Sequence, residues 1–167
     1  NMIFYLICLL LTLQNPTLTN LRNYYSDIVN DEKKCTTYLN KLKSEKNNSA
    51  TITAFIAALT ASGAQFQLNP FSRIATVNDA HELFEKAVSD EPQNPEIRYL
   101  RITVEQNTPR FLGLSAHINE DKKIVFDRFD EYVNIAGVES AKQVIAFMKY
   151  HKLCTTVELT KLEQWTK

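Results

Sequence analysis

Glycine is scarce in this chain: Gly63, Gly113 and Gly137 are the only three in 167 residues, and no two stand together. That scarcity excludes a glycine-rich phosphate cradle, and the absence of Gly-x-Ser-x-Gly removes the usual serine-hydrolase elbow. With few glycines, five prolines and no strict alternation of apolar with polar residues, a turn-rich all-β fold is excluded as well. Histidine is limited to His81, His117 and His151, and cysteine to Cys8, Cys35 and Cys154. Neither type clusters as His-Glu-x-x-His or Cys-x-x-Cys, so no metal and no cofactor is expected. Charge of either sign is not in excess, since Lys plus Arg and Asp plus Glu both total 19. Without a net field there is nothing to draw the chain to a phosphate backbone, and nucleic acid is excluded as a partner.

Long hydrophobic runs are also missing, save one. Ile3 to Leu13 (IFYLICLLLTL) is apolar apart from one threonine, and no charge precedes Arg22. The run is shorter than the ~20 residues a membrane-spanning helix needs, so no stable span is expected. Its length suits the apolar part of a secretory signal, although it lacks a basic start and a small-x-small cleavage site. Residues 1–17 are therefore read as a leader, either a signal that sends the protein to the periplasm or cell envelope, or a first helix of a cytoplasmic protein. As a retained helix it offers transient membrane contact or a homodimer contact.

What is abundant is helical periodicity, and residues 18–167 read as a single helical domain. Leu21, Tyr24, Tyr25, Ile28 and Val29 share one face, and Asp31 caps a second segment carrying Cys35, Tyr38, Leu39 and Leu42. The stretch from Ala50 to Gln65 is rich in alanine. Pro70 is read as a helix breaker in the loop QLNPFSRIA, with Thr76 capping the next helix, which ends at Pro92. Asn94 and Pro95 are a cap and first-turn proline for a helix that stops near Pro109. One helix is expected from Asn119 to Gly137, another around Ala141 to Met148, and a last one opened by a Thr155/Glu158 capping box. A staple from Cys154 to Leu159 is expected beside that box.

Several residues invite a functional reading. Glu96, Tyr99, Thr103 and Gln106 fall on one face of the helix after Pro95, read as an outward stripe able to contact a ligand. Arg101 is placed to pair with Glu105 one turn on, and Arg98 to hold the preceding acidic loop. Phe71, in the long loop, is read as a contact residue or a plug for the core. Glu120 and Asp121 are read as favourable charge at a helix start. Once the leader is removed, Cys35 and Cys154 form an even pair that an oxidising compartment can join.

Ala80, Phe84, Ala87 and Pro92, within DAHELFEKAVSDEPQNPEIRYL, match the second helix of a tetratricopeptide repeat. The chain also resembles a group of small uncharacterised bacterial helical proteins over most of residues 18 to 163. The phrases LTNLRNYYSDIV, LNPFSRI, FEKAVSDEPQNPEIRYLRITVEQNTPRFLGLS, INEDKK and HKLCTTVELTKLE carry that likeness. The resemblance implies export, because such leaders usually serve as signals in that group, and it implies no reaction. The flanking signature positions of the repeat fall on Ala64, Gln67 and Leu68 and on Arg98, Arg101 and Ile102, which do not fit, so one degenerate repeat is expected. The expectation is an all-α domain of about seven or eight helices in antiparallel hairpins, with a tetratricopeptide-like α-α superhelix arrangement. Its function is expected to be a non-catalytic interaction or scaffold module for a protein or peptide. The alternative is a ligand carrier or enzyme assembled from scattered residues such as Tyr99, Arg98 and His117.

Overall fold

The computed structural model describes residues 15–46 and 49–167, and the apolar stretch Ile3 to Leu13 lies outside them. Among the described residues there are nine α-helices and no strand. They are α1 (Pro16–Val29), α2 (Glu32–Ser44), α3 (Ala50–Gly63), α4 (Pro70–Asp90), α5 (Pro95–Asn107), α6 (Ile118–Asp127), α7 (Phe129–Ala136), α8 (Val138–Tyr150) and α9 (Thr156–Glu163). None is long and apolar enough to cross a membrane.

One dipeptide starts three of them. Asn15-Pro16, Asn69-Pro70 and Asn94-Pro95 each place an asparagine at the N-cap, its side chain accepting from the first free backbone N–H groups, and a proline in the first turn. The proline ring fixes a helical φ where no N–H is needed, and the cap satisfies donors that would otherwise be orphaned. Pro70 therefore begins α4 instead of barring it, and Thr76 sits inside that helix, its hydroxyl bonded to the Gln67 side chain at 3.0 Å. Asp31 caps α2 as expected, and the Thr155/Glu158 box closes in both directions at the start of α9.

The long helix expected between Asn119 and Gly137 is interrupted. Arg128 has φ −123° and ψ 31°, dividing it into α6 and α7, and α6 opens after His117 without a side-chain cap. Periodicity hides the break because Val125, Phe129 and Tyr132 reach the same core from both sides of it. Gly137 adopts φ 84° and ψ 164°, a backbone state open to glycine alone, and turns the chain directly from α7 into α8.

Two cores meet on α5. The first joins α1 to α4 with Ile97 and Leu100, and the second joins α6 to α9 with Tyr99 and Ile102. The alanines of α3 let α4 lie close against it, with Ala80, Phe84 and Ala87 buried. Because helices pack on α5 from both sides, ten of its thirteen residues are buried. The outward stripe expected there does not exist: Glu96 is 1 % exposed and Tyr99 and Thr103 are 7 % exposed, while Gln106 is half-buried.

Burying α5 on all sides leaves its charges to be satisfied by neighbours. Glu96 receives Arg22 of α1 in a two-point pair, with both N···O distances 2.7 Å. On the other face Asp121 of α6, fully buried, accepts from Arg98 at 2.7 Å and from Arg101 at 2.7 and 2.8 Å. Arg98 continues to Glu120 at 2.6 Å and to the Pro92 carbonyl, which does hold the preceding acidic loop. Arg101 pairs with Glu85 at 2.9 Å, not with Glu105, which binds the His117 ring and backbone instead. Burial alone lowers the Arg101 pKa, but the hydrogen bonds and field of Asp121 outweigh it and hold the guanidinium above its ordinary value. Asp121 is thus the shared counter-charge of two buried arginines, a role beyond the helix-start charge read from sequence.

Removing one member of a buried ion pair leaves an uncompensated charge. Asp121→Asn is expected to lower unfolding free energy by about 3–5 kcal/mol, read as a fall in the urea midpoint. Gly137→Ala meets no atom within 4 Å. Its cost is backbone strain alone, about 1–3 kcal/mol by the same measurement.

Candidate binding cleft

A cleft of about 1130 Å³ opens where α1, α3, α5 and α8 end and α4 begins. Tyr25 and Val29 come from α1, Pro70, Ile74 and Val77 from α4, and Ala146, Phe147 and Tyr150 from α8. Phe111 and Leu112, in the short turn after α5, close one end. The walls are mostly apolar and aromatic, the usual composition of a recognition site.

Its floor is polar and belongs to α5. The Thr103 hydroxyl donates to the Leu100 carbonyl at 2.7 Å and lies 3.1 Å from the Tyr25 hydroxyl. Tyr99 packs edge-on against Tyr132 and Phe147, and its hydroxyl has no hydrogen-bond partner among the described residues. The Gln143 amide donates to the carbonyls of Arg22 and Asn23, tying α8 to α1 across the cleft. Burial pushes the Tyr25 phenol up to about 12 and holds those of Tyr99 and Tyr132 well above the ordinary tyrosine value.

The sequence-derived candidates divide. Tyr99 and Thr103 reach the cleft floor. Arg98 and Arg101 are 4 % and 2 % exposed and committed to Asp121, away from the cleft. Gln106 does not line the cleft, and Phe71 is exposed on the first turn of α4 beside its lining residue Pro70. Tyr99, Arg98 and His117 do not converge on one site: Arg98 turns to Asp121, and His117 bonds Glu105 and stacks on His81. Tyr25, Ile74, Phe111, Phe147 and Tyr150 were not legible as site residues, because only the folded arrangement of helix ends brings them together.

Cys35 donates its thiol to the Leu59 carbonyl within the first core, whereas Cys154 is partly buried against the second. Both thiols are free, so the disulfide open to them on sequence grounds is not formed. Burial raises both thiol pKa values, which disfavours thiolate chemistry. Among the described residues no group of three or more His, Cys, Asp or Glu side chains is placed to hold a metal ion.

The buried phenols make stability fall in alkali. Above about pH 10 the unfolded chain releases tyrosine protons that the folded chain retains, so the unfolded state gains relative to the folded one. Spectrophotometric titration is expected to show Tyr25, Tyr99 and Tyr132 silent through the main phenolate step until unfolding exposes them. Tyr99→Phe should reduce that delayed amplitude. No protein-family model matches the chain, and it finds no match among curated proteins or solved structures.

Proposed function

We propose that the protein is a non-catalytic binding module that receives an apolar segment of a partner protein in this cleft. The observation that carries the reading is the cleft itself. At about 1130 Å³ it exceeds the ~300–1000 Å³ typical of small-molecule pockets. Its mouth is ringed by large apolar side chains left in water, Phe111 at 84 % and Tyr150 at 81 % exposure, with Ile74 beside them. Exposed apolar surface joined to a concave site favours a macromolecular partner, because covering it repays about 25 cal/mol per Å². The Tyr99 hydroxyl and the Gln143 side-chain carbonyl supply hydrogen-bonding groups for a backbone laid across them.

Non-catalysis is favoured by what lines the cleft. Among the described residues no carboxylate does, and the histidine that does, His151, packs its ring on Phe147 with centroids 4.3 Å apart. A general base paired with an orienting group has no counterpart there. We further infer that α3 and α4 form one degenerate tetratricopeptide-like repeat, supported by the close alanine packing and by buried Ala80, Phe84 and Ala87. Export is proposed on the leader and the family likeness alone. Sequencing the mature N-terminus in the native host tests it, and retention of Met2 in cytoplasmic protein would sink it.

The binding reading is tested by selecting short random peptides on the folded protein and measuring their affinity by calorimetry. Ala146→Trp, which fills the cleft from an exposed position of α8, is expected to weaken the selected peptides at least tenfold, about 1.4 kcal/mol, at an unchanged urea midpoint. Peptides that bind the filled variant equally well, or a selection that yields none, would refute the reading.

A further inference from the structure

Among the described residues, the charge that lines the cleft is of one sign. No aspartate or glutamate lines the cleft, whereas Arg73 and His151 do. Three segments that contribute lining residues (Arg73 and Ile74, Phe111 and Leu112, Tyr150 and His151) each set, in sequence, an exposed large apolar residue near a basic one without any carboxylate. Residues 67–75 hold Leu68, Phe71 and Arg73; residues 109–113 hold Arg110 and Phe111; residues 149–153 hold Lys149, Tyr150 and Lys152. The chain as a whole is balanced at 19 positive against 19 negative residues, so this is a local segregation.

Among the described residues those cations are unpaired with carboxylates, although Arg73 also donates to the Gln67 carbonyl. Arg22, Arg98 and Arg101 are all held by carboxylates, but Arg73, Arg110, Lys149 and Lys152 form no ion pair among the described residues. The turn from α1 to α2 supplies the opposing sign: Asp31 is engaged in capping α2, while Asp27 and Glu32 are exposed there, neither of them lining the cleft. Helix C-termini in the cleft walls contribute partial negative charge that fades within a turn. That favours an uncharged occupant inside the cleft and places any negative charge outside, at the mouth.

We infer that the partner segment is acidic and amphipathic, with apolar side chains in the cleft and carboxylates meeting Arg73, Arg110, Lys149 and Lys152 around it. The inference rests on the cleft being a partner-binding site and adds the chemistry of the partner. An anionic bilayer shares the charge but fits the shape poorly, since a membrane presents no projection to fill a concave site with a polar floor. Carboxylate-to-cation pairing at a rim acts mainly on association rate and specificity, and it weakens with salt.

The test uses the full chain and the same random-peptide selection. Selected peptides are expected to carry Asp or Glu flanking an apolar stretch. Reversing the four cations together (R73E/R110E/K149E/K152E) should lower their affinity tenfold or more, with the urea midpoint held. Raising salt should weaken binding to the unchanged protein and barely affect the reversed one. Peptides with basic or uncharged flanks, or equal affinity for the reversed variant, would overturn the inference while leaving the binding module intact. A selection that yields no cleft-dependent peptide would bring down the binding reading and this inference with it. Co-sedimentation with phosphatidylcholine vesicles containing phosphatidylglycerol, undiminished by saturating peptide, would also overturn it by assigning the mouth to a membrane.

Discussion

The carboxylate of Asp121, enclosed by Arg98 and Arg101, is the interaction on which the rest of the arrangement depends. A helix packed on both sides normally carries only apolar residues, yet α5 brings two arginines and two glutamates into the interior. Each buried ion without a partner costs several kcal/mol, a sizeable share of a domain's ~5–15 kcal/mol stability. The network therefore confines α6 to one position on α5. From there Val125, Phe129 and Tyr132 set the second core, and through it the placement of α8. Phe147 and Tyr150 stand opposite Tyr25 and Ile74 because of this chain of constraints.

The cleft arises where helices stop. Four of them end around it, and the side chains beyond their last turns do not close the gap. Filling the space would bury Phe111 and Tyr150, and the fold forgoes that gain. A recess kept at such a cost, with a hydrogen-bonded floor, differs from the shallow irregularities of an ordinary surface.

Local structure was largely legible in the sequence, and tertiary structure was not. Asp31, Asn94 and the Thr155/Glu158 box announce their helices because capping is a short-range exchange between one side chain and the next few N–H groups. The same signal stands at Asn69-Pro70, where a proline resembles a stop although its missing N–H ends a helix only from within. The burial of α5 could not be seen because polar residues every three or four positions look alike on a solvated face and on a face satisfied by ion pairs. Arg98 and Arg101 find their counter-charge on Asp121, some twenty residues on in sequence. Spacing rules confined to one helix cannot reach that far. Of the site, spacing singles out Tyr99 and Thr103 but puts them on an outer face, whereas they belong to a buried floor.

Shared ownership of α5 has a consequence for how the chain holds together under stress. The first core is incomplete without Ile97 and Leu100, and the second without Tyr99 and Ile102. These residues alternate along a single stretch of helix, so the two interiors cannot both keep their α5 residues if they are drawn apart. Melting of α5 removes a wall from both halves together, and the two cannot unfold in separate stages while that helix remains their common element. After a nick between α4 and α5 the second core would stay whole in the piece that keeps α5, and it is the first core that would lose Ile97 and Leu100 if the pieces parted.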